Sequence, residues 1–413
     1  MPLVLRTDEL QEGMRLGDAL ISNGMVMLPA GKILTDGDIS AVRRRFPGAS
    51  LTVGDPVLDK VIDFEDDKRE RTVAKEAQKK IVKSMEHVQE RFNKRTDAGK
   101  INFKAMADSV NEVMEYIRDN PVSSALISRS LDSDSYLSEH TGNVFYLSLV
   151  LGNAVKDYVV KERIRQTAAK NLSPDKAMDL KSLGLGAMFM DLGMYPIRSI
   201  FNKEGELTKD EKEMLFEHPN TGADMLPDSI SATARMIVRT HHENYDGNGY
   251  PRGIPAEKLH VFSRIVRICD SFDAATADHV FKKAKSPSKV LWEMSLGPCR
   301  RFYDPALMKV FRGMIQPFPI GSKIMLNDES FAVVVKYNHK DAFDPYVMVV
   351  FDNKNQRIPT ERLGKPFCLS SKPGMRFVRF GDEPLGYLYS IKDELSGALD
   401  RHNPQSAFDA VFP

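Results

Sequence analysis

Two adjacent histidines and two acidic residues stand in the stretch HHENYDGNGYP, which runs from His241 to Pro251. Imidazole and carboxylate groups together suit Mn, Fe, Zn or Ni better than Mg or Ca. Adjacent residues of a helix point about 100° apart, so two neighbouring imidazoles can reach one ion only where the helix ends. The Asp-Gly and Asn-Gly pairs that follow favour turns and supply such an end. The stretch therefore predicts part of a metal site at the end of a helix.

Four more polar residues lie at positions where the helical pattern asks for apolar ones. They are His140, Asp191, His218 and Asp270. His140, for example, repeats in register with Val144 and Leu147, so its side chain should point inward. One inward histidine or aspartate is more often a hydrogen-bonded core group, because a buried polar group needs a partner. Taken with the histidine pair, the set of four His and two Asp predicts a metal centre, and two metals bridged by a carboxylate can activate water.

The elements that must position these residues are helices. Residues 101–315 have a helical pattern almost throughout, with breaks at Pro, Gly and Asp. Residues 1–55 show short β-like runs and one helix, whereas residues 316–390 return to β-branched and alternating runs such as ESFAVVVKY. We therefore predict a mainly α protein in which a helical domain is flanked by a small N-terminal α+β unit and a small C-terminal β unit. The predicted parts are 1–55, a linker at 56–104, 105–315, 316–390 and a tail at 391–413.

The linker is dense in mixed charge but carries an apolar stripe along one helix face. The stripe consists of Val73, Ala77, Ile81, Met85, Val88 and Phe92. Two interpretations stay open. The stripe is either the inner face of a solvated helix that packs on the next domain, or the seam of a helix that dimerises or transmits a signal. The second interpretation predicts a homodimer formed through residues 73–92.

Composition limits the class of protein. The chain has 413 residues, of which 42% are hydrophobic, and a core of that size needs no disulfide bonds. The formal net charge of +1 gives no general attraction to nucleic acids, so we expect no nucleic acid polymer as partner. Three widely spaced cysteines without a CxxC pair fit a reducing cytoplasm. We also expect no signal peptide and no membrane span, because no suitable apolar segment occurs.

Four segments together resemble the HD-GYP family, a branch of the HD phosphohydrolases. HHENYDGNGYPRGIP resembles the HHE…DG.GYP.G signature, with Gly249, Tyr250 and Pro251 as the GYP triplet. The segments EHTGNVFYLSLVLG, HPNTGADML and RIVRICDSFDA resemble the family's other ligand helices, and they contain His140, His218 and Asp270. The motifs follow the family order over about residues 105–315.

The resemblance implies an all-helical domain that binds two or three metals, commonly iron or manganese, and opens cyclic di-GMP to pGpG or GMP. It implies one metal site formed by Asp191, His218, His241 and His242. It assigns His140 and Asp270 to a second metal, with Asp191 as the bridge. Some members add a Glu for a third metal where this chain has Tyr136. The GYP triplet is implied to dock diguanylate cyclase (GGDEF) proteins.

Two methionines depart from the segment that names the family. The family pattern is His-Asp-x-Gly-Lys, whereas residues 190–194 read MDLGM. A thioether at Met190 is a poor ligand for Fe(II) or Mn(II), and Met194 removes a cation that would meet the substrate phosphate. A phosphate-binding Arg of the family is replaced by His279, while Lys282 matches a second basic position. By this resemblance Asp191 and Lys282 are the candidate catalytic residues.

Three functions remain open from these residues. The first is a weak metal-dependent cyclic di-GMP phosphodiesterase with one tight metal and a weak or empty second site. The second is a non-catalytic regulator that binds cyclic di-GMP or a diguanylate cyclase. The third is hydrolysis of another nucleotide or phosphoester. The two methionine positions discriminate best among these three functions, because hydrolysis through two metals needs both ions held in place.

Overall fold

The computed structural model describes most of the chain. The described residues are 3–22, 25–55, 57–62, 64–93, 101–120, 136–166, 172–201, 203, 205–277, 284–338 and 340–389. The chain divides into two compact units, of which one runs to Arg69 and resumes at Gln316, and the other comprises Glu70–Ile315. Of the described helices, none has the length and apolar character that crossing a bilayer requires. The predicted tail, residues 391–413, lies outside the described residues.

Within its described residues the first unit contains three antiparallel sheets and two complete α-helices. Its strands are β1 (Leu3–Arg6), β2 (Arg15–Leu16), β3 (Leu20–Ser22), β4 (Met25–Leu28), β5 (Ser50–Gly54), β6 (Lys323–Leu326), β7 (Phe331–Lys336), β8 (Tyr346–Phe351), β9 (Phe377–Phe380) and β10 (Glu383–Pro384). Its helices are α1 (Asp36–Arg45) and α2 (Leu58–Val61). The strand orders are β1-β5-β2, β3-β4 and β10-β9-β6-β7-β8.

The two ends of the chain share one core within this unit. Leu5 and Val53 from the N-terminal segment pack in the same hydrophobic cluster as Val333 from the C-terminal segment. Arg357 donates from Nε to Asp55 Oδ2 at 3.0 Å, which adds a polar link between the two segments. The structure confirms a mainly α protein with small N-terminal and C-terminal sheets, and it adds that these sheets belong to one compact unit. The bounds of the five predicted parts stay predictions.

Helices make up the second unit. Their bounds are α3 (Phe64–Asn93, which begins in the first unit), α4 (Phe103–Asp119), α5 (Tyr136–Ala154), α6 (Lys156–Gln166), α7 (Pro174–Ala177), α8 (Leu180–Phe189), α9 (Arg198–Phe201), α10 (Lys209–Met225), α11 (Ala232–Thr240), α12 (Val261–Thr276), α13 (Pro287–Ser295) and α14 (Pro305–Met314). Helix α5 is buried around almost its whole circumference. It contacts α8 and α12, so it forms the centre against which the helices carrying the polar residues pack.

The apolar stripe of α3 is buried inside the chain. Val73, Ala77, Ile81, Met85 and Val88 are each at most 3% exposed. Helix α4 lies alongside, since Lys80 pairs with Glu112 at 3.3 Å, and the α5 backbone comes so close that a Cβ on Gly142 would be 2.7 Å from Val82. The stripe therefore packs on its own chain, as the first interpretation holds. The side chain of Phe92 lies outside the described residues. The homodimer stays a prediction, and it would have to form through a surface other than this stripe.

Replacing Ile81 by Asp should destabilise the helical unit rather than release a folded monomer. Ile81 is fully buried, so the change removes its apolar contacts and forces a carboxylate into the core. We expect the free energy of unfolding to fall by at least about 3 kcal/mol in urea titrations.

Lys79→Asp is the matched control, because Lys79 is exposed on the same helix and receives the same side chain. It should cost less than about 1 kcal/mol, the size of a helix propensity difference. An Ile81→Asp protein that keeps its unfolding midpoint but changes from dimer to monomer would show that the stripe is an intermolecular seam.

Candidate metal centre

The histidine pair lies where a helix ends. Helix α11 stops at Thr240, and His241 is its C-cap residue with φ −68° and ψ −16°. The chain then leaves the helix at His242, and the two imidazole centroids are 4.1 Å apart. The helix end thus lets both rings face one place, which consecutive residues inside a helix cannot do.

Four buried side chains converge at this helix end. They are Asp191, His218, His241 and His242, here called the Asp191 cluster. One potential ligand atom from each residue lies within 4.8 Å of the others. No residue of the cluster is more than 7% exposed, so water has little access to the polar atoms. The structure therefore brings together the residues that the resemblance assigned to a first metal.

Backbone carbonyls fix the tautomers of two of the imidazoles. His218 Nδ1 donates to the Leu215 carbonyl oxygen at 2.6 Å, and His241 Nδ1 donates to the Val238 carbonyl oxygen at 2.8 Å. A neutral ring that carries its proton on Nδ1 has a bare lone pair on Nε2. The two Nε2 atoms face each other at 3.3 Å. When both rings are neutral, the two lone pairs at that distance repel each other unless a cation lies between them, and this is the orientation of metal-binding histidines.

Asp191 presents one carboxylate oxygen to each side of the centre. Its Oδ1 lies 3.4 Å from His218 Nε2 and 3.7 Å from His241 Nε2, whereas its Oδ2 lies 3.5 Å from His140 Nε2. Burial alone would raise the pKa of Asp191, but the histidines around it hold this pKa well below its usual range. The carboxylate is therefore ionised and placed to bridge two positions.

A close backbone contact places Asp191 beside His218. Asp191 begins a short 3-10 turn, Leu192–Met194, directly after the end of α8. A Cβ on Gly193 would lie 2.1 Å from the His218 carbonyl oxygen and 2.8 Å from the Gly222 amide nitrogen. Only glycine permits this approach of the turn to α10. The DLG turn and the HPNTG helix are thus fitted together by their glycines.

His140 lies on the other side of Asp191 between two carboxylates. Its Nε2 is 3.1 Å from Asp270 Oδ1, and its Nδ1 is 2.7 Å from Asp273 Oδ2. Asn143 donates to the other oxygen of Asp273 at 3.0 Å. Burial alone would lower the pKa of His140, but the two hydrogen-bonded aspartates raise it to about 10. Tyr136, at the position of the third-metal Glu, stacks on His140 with centroids 5.8 Å apart.

His242 joins the two sides of the centre. Its Nδ1 lies 3.6 Å from Asp270 Oδ2, and Arg267 Nη1 lies 3.4 Å from the same nitrogen. Burial among the neighbouring imidazoles holds the pKa of His242 well below its usual value, so the ring is neutral. Tyr250 stacks on it with centroids 4.6 Å apart and is only 8% exposed. The tyrosine of the GYP triplet therefore covers His242.

The loop after the histidines is held down by Glu243. This fully buried carboxylate accepts from the backbone N–H groups of Arg252 at 2.8 Å and Ile254 at 3.0 Å. A Cβ on Gly249 would lie 2.2 Å from the Asn244 amide nitrogen, so only glycine lets the loop fold back this tightly. The loop is thereby fixed over the end of α11.

The two substituted positions are apolar and enclosed. Met190 is fully buried at the C-terminal end of α8, and Met194 is 5% exposed at the end of the 3-10 turn. Neither provides the nitrogen ligand or the ammonium group of the family pattern. Lys282 and His279 lie outside the described residues, so their predicted roles stay predictions.

The donor set of the Asp191 cluster fits a divalent transition metal. Three imidazoles and one carboxylate are a ligand set for Fe, Mn, Zn or Ni. Two of the rings already donate their remaining N–H to carbonyl oxygens, which leaves the ligand nitrogens free. On the second side, Asp270 Oδ2 is buried and accepts no hydrogen bond from the described residues. A buried oxygen of this kind suits a cation, and the guanidinium Nη1 of Arg267 lies 3.5 Å from it.

Three buried residues near the centre were not singled out from the sequence. Asp273 follows Asp270 by three residues, so the same face of α12 carries both. Arg267 precedes Asp270 by the same spacing and donates from Nε to Asn244 Oδ1 at 3.0 Å. Glu243 directly follows the histidine pair. The repeat of charged residues along one helix face was the signal that could have identified the first two.

Residues 148–307 match the HD domain family, a range that begins after His140. A cyclic di-GMP phosphodiesterase from Pseudomonas aeruginosa is 26% identical over 253 residues, which are 60% of this chain and 56% of that protein. Cyclic di-GMP phosphodiesterase PdeB from Borreliella burgdorferi is 26% identical over 223 residues, 54% of each chain. The cyclic di-GMP phosphodiesterase response regulator RpfG from Xanthomonas campestris is 30% identical over 142 residues, 33% of this chain and 38% of that one.

The chain spans little more than half the length of the first two of these relatives. The matched region contains the MDLGM, HPNTG and HHE…GYP segments in order. The helical fold, the buried histidine–aspartate cluster and these matches agree. Residues 148–307 therefore form a domain of the HD family that resembles the HD-GYP type, with Met190-Asp191 in place of the His-Asp pair of the HD-GYP pattern.

Proposed function

We propose that this protein is a weak metal-dependent cyclic di-GMP phosphodiesterase that acts in bacterial second-messenger signalling in the cytoplasm. The observation that supports it best is the Asp191 cluster, where the Nε2 atoms of His218 and His241 face each other at 3.3 Å beside the Asp191 carboxylate. Such a buried arrangement is unfavourable without a cation and favourable with one. The activities named for the relatives supply the substrate class of the proposal.

The cluster would hold one divalent metal, with iron or manganese as the proposed ion. A metal bound there supplies Lewis acidity, which activates water and stabilises negative charge at a phosphate. The chain itself orients the ligands, since the carbonyl oxygens of Leu215 and Val238 fix two rings. Burial excludes bulk water, so charges within the site interact strongly. Asp191 would be the catalytic carboxylate that links the two sides, and Lys282 would contact the substrate phosphate.

The second metal position would be weak or empty. His140, Asp270 and one oxygen of Asp191 remain there, but Met190 offers a thioether in place of an imidazole. Asp273 would orient His140 through its 2.7 Å hydrogen bond to Nδ1. Two ligands and a shared bridge bind an ion less tightly than a full set, so we propose reduced turnover rather than none.

A non-catalytic regulator is the second candidate, and the enclosed methionines favour it. Met190 and Met194 both replace groups that catalysis needs, while the loop over α11 keeps its Glu243 anchor. Such a protein would bind cyclic di-GMP or a diguanylate cyclase partner. Docking through the GYP triplet would use Gly249 and the half-buried Pro251, because the Tyr250 ring is buried against His242.

Metal content should depend on the Asp191 cluster. We expect about one tightly held transition metal per purified chain, because among the described residues this cluster alone brings four potential ligands together. His241→Ala should reduce the metal to near zero in elemental analysis, since the ring supplies one of the two facing nitrogens. A chelator should lower the melting temperature of the natural protein, because metal binding to the folded state adds to stability. The melting temperature of the His241→Ala protein should not respond to the chelator.

The exposed histidine His87 provides the control, and His87→Ala should leave metal content and melting temperature unchanged. Two or more tightly bound metals per chain would contradict the proposed weak second site. Equal metal content in the natural and His241→Ala proteins would exclude the Asp191 cluster as the metal site.

Restoring the two family residues should raise cyclic di-GMP hydrolysis. Met190→His returns an imidazole to the second position, and Met194→Lys returns a cation that stabilises charge developing at the phosphate. Assayed with added Fe(II) or Mn(II), the double variant should gain about 10²-fold over the natural protein, the size typical of one well-placed electrostatic group. Met194→Lys alone should gain little, because the lysine helps only when both metals are in place.

The natural protein sets the baseline for this comparison. If it already turns over cyclic di-GMP at about 10 per second, the median enzyme rate, the methionines do not limit catalysis and the regulator function fails. If the double variant binds two metals but stays inactive, the phosphodiesterase proposal fails and the regulator function remains.

A further inference from the structure

A cavity lies beside helix α11 and the segment that follows the GYP triplet. It has a volume of about 420 Å³ and is lined by residues between Asp228 and Thr240 together with residues between Arg252 and His260. None of the four residues of the Asp191 cluster lines it. Small-ligand sites usually measure about 300–1,000 Å³, so the cavity is large enough for one small molecule.

Basic side chains dominate the charged lining of this cavity. Its four basic residues are Arg235, Arg239, Arg252 and Lys258, against the single acidic residue Asp228. Asp228 is fully exposed, so its charge is screened by solvent. The lining therefore has an excess of positive charge, although the whole chain is almost neutral.

The four basic residues differ in how far their side chains already bind other groups of the protein. Arg235 supports the fold, because its guanidinium donates to the carbonyl oxygens of Ala223, Leu226 and Pro227. Arg239 pairs through Nη2 with the exposed Asp224 at 2.6 Å, while its buried Nε has no hydrogen-bond partner among the described residues. Arg252 and Lys258 form no ion pair within the described part of the chain and are exposed.

The remaining lining is apolar or uncharged. Met236, Ile254 and Leu259 contribute aliphatic and thioether surface. His260 accepts a hydrogen bond from the Phe262 backbone N–H at 3.1 Å, and burial lowers its pKa to about 3. The ring is thus neutral near pH 7 and belongs to the uncharged part of the cavity.

We propose that this cavity binds a nucleoside phosphate, with the phosphate held by Arg239, Arg252 and Lys258 and the base against Met236 and Leu259. Guanidinium groups match phosphate oxygens with two parallel hydrogen bonds, and a phosphate has enough charge to satisfy several cations. The apolar surface favours a ligand with a ring system over the bare anion. The site is separate from the metal centre and does not depend on the proposed phosphodiesterase activity.

Calorimetric titration with adenosine and guanosine monophosphates, and separately with inorganic phosphate, tests this site. The natural protein should bind one or both nucleotides saturably, at least about tenfold more tightly than phosphate. Arg239→Gln and Lys258→Gln should each weaken binding about tenfold, the usual effect of losing one charge-assisted hydrogen bond. Both side chains reach solvent, so neither change should unfold the protein.

Two matched variants distinguish binding in this cavity from binding elsewhere on the protein. Lys104→Gln removes an exposed cation of α4 that does not line the cavity, and it should leave binding unchanged. His241→Ala should also leave it unchanged, because the metal centre is not involved. Absence of saturable binding by the natural protein overturns the proposal. So does binding that His241→Ala abolishes and Arg239→Gln retains, or binding that Lys104→Gln weakens as much as Lys258→Gln.

Discussion

The site in the helical unit depends on one electrostatic constraint, the burial of the facing Nε2 atoms of His218 and His241 beside the Asp191 carboxylate. Carbonyl oxygens on α10 and α11 fix the protons of both rings on the opposite nitrogen, so the rings cannot turn their N–H groups toward each other without losing those bonds. Such an arrangement is costly without a cation. The helices therefore hold the Asp191 cluster in a geometry that binding of a metal would stabilise, and packing around α5 provides the stability that offsets this cost.

Close contacts between backbone segments at two glycines make that geometry possible. Gly193 lets the turn that carries Asp191 lie against the backbone of α10 at His218, and Gly249 lets the loop fold back over the helix end at His242. A methyl group at either glycine would overlap backbone atoms, which cannot move aside as a flexible side chain can. The two glycines thus act through the distance between main chains, while Glu243 fixes the loop by accepting two of its backbone N–H groups.

Much of the site was predictable because inward polar residues break a helical pattern that is otherwise apolar. That pattern identified His140, Asp191, His218 and Asp270, and the Asp-Gly and Asn-Gly turns correctly indicated that α11 ends at the histidine pair. The spacing from Asp270 could have placed Asp273 on the same face of α12, but it could not show what Asp273 does, because a carboxylate that hydrogen-bonds an imidazole is recognised only once both positions are known in space. The core shared by the two ends of the chain was unpredictable for the same reason, since periodicity shows that a strand has a buried face and not which strand covers it.

The carboxylates around His140 determine how the substituted centre should be understood. Asp191, Asp270 and Asp273 surround this one imidazole at 3.5, 3.1 and 2.7 Å, in a region that solvent hardly reaches. Three buried acidic groups need positive charge nearby, which the Arg267 guanidinium, 3.5 Å from Asp270 Oδ2, supplies in part and a protonated ring or a metal ion would complete. Met190 removes a ligand from this side but leaves its negative charge unchanged. The second position therefore still attracts a cation, although its ligand set is incomplete. It would bind a metal more weakly because a ligand is missing, and not because negative charge has been lost.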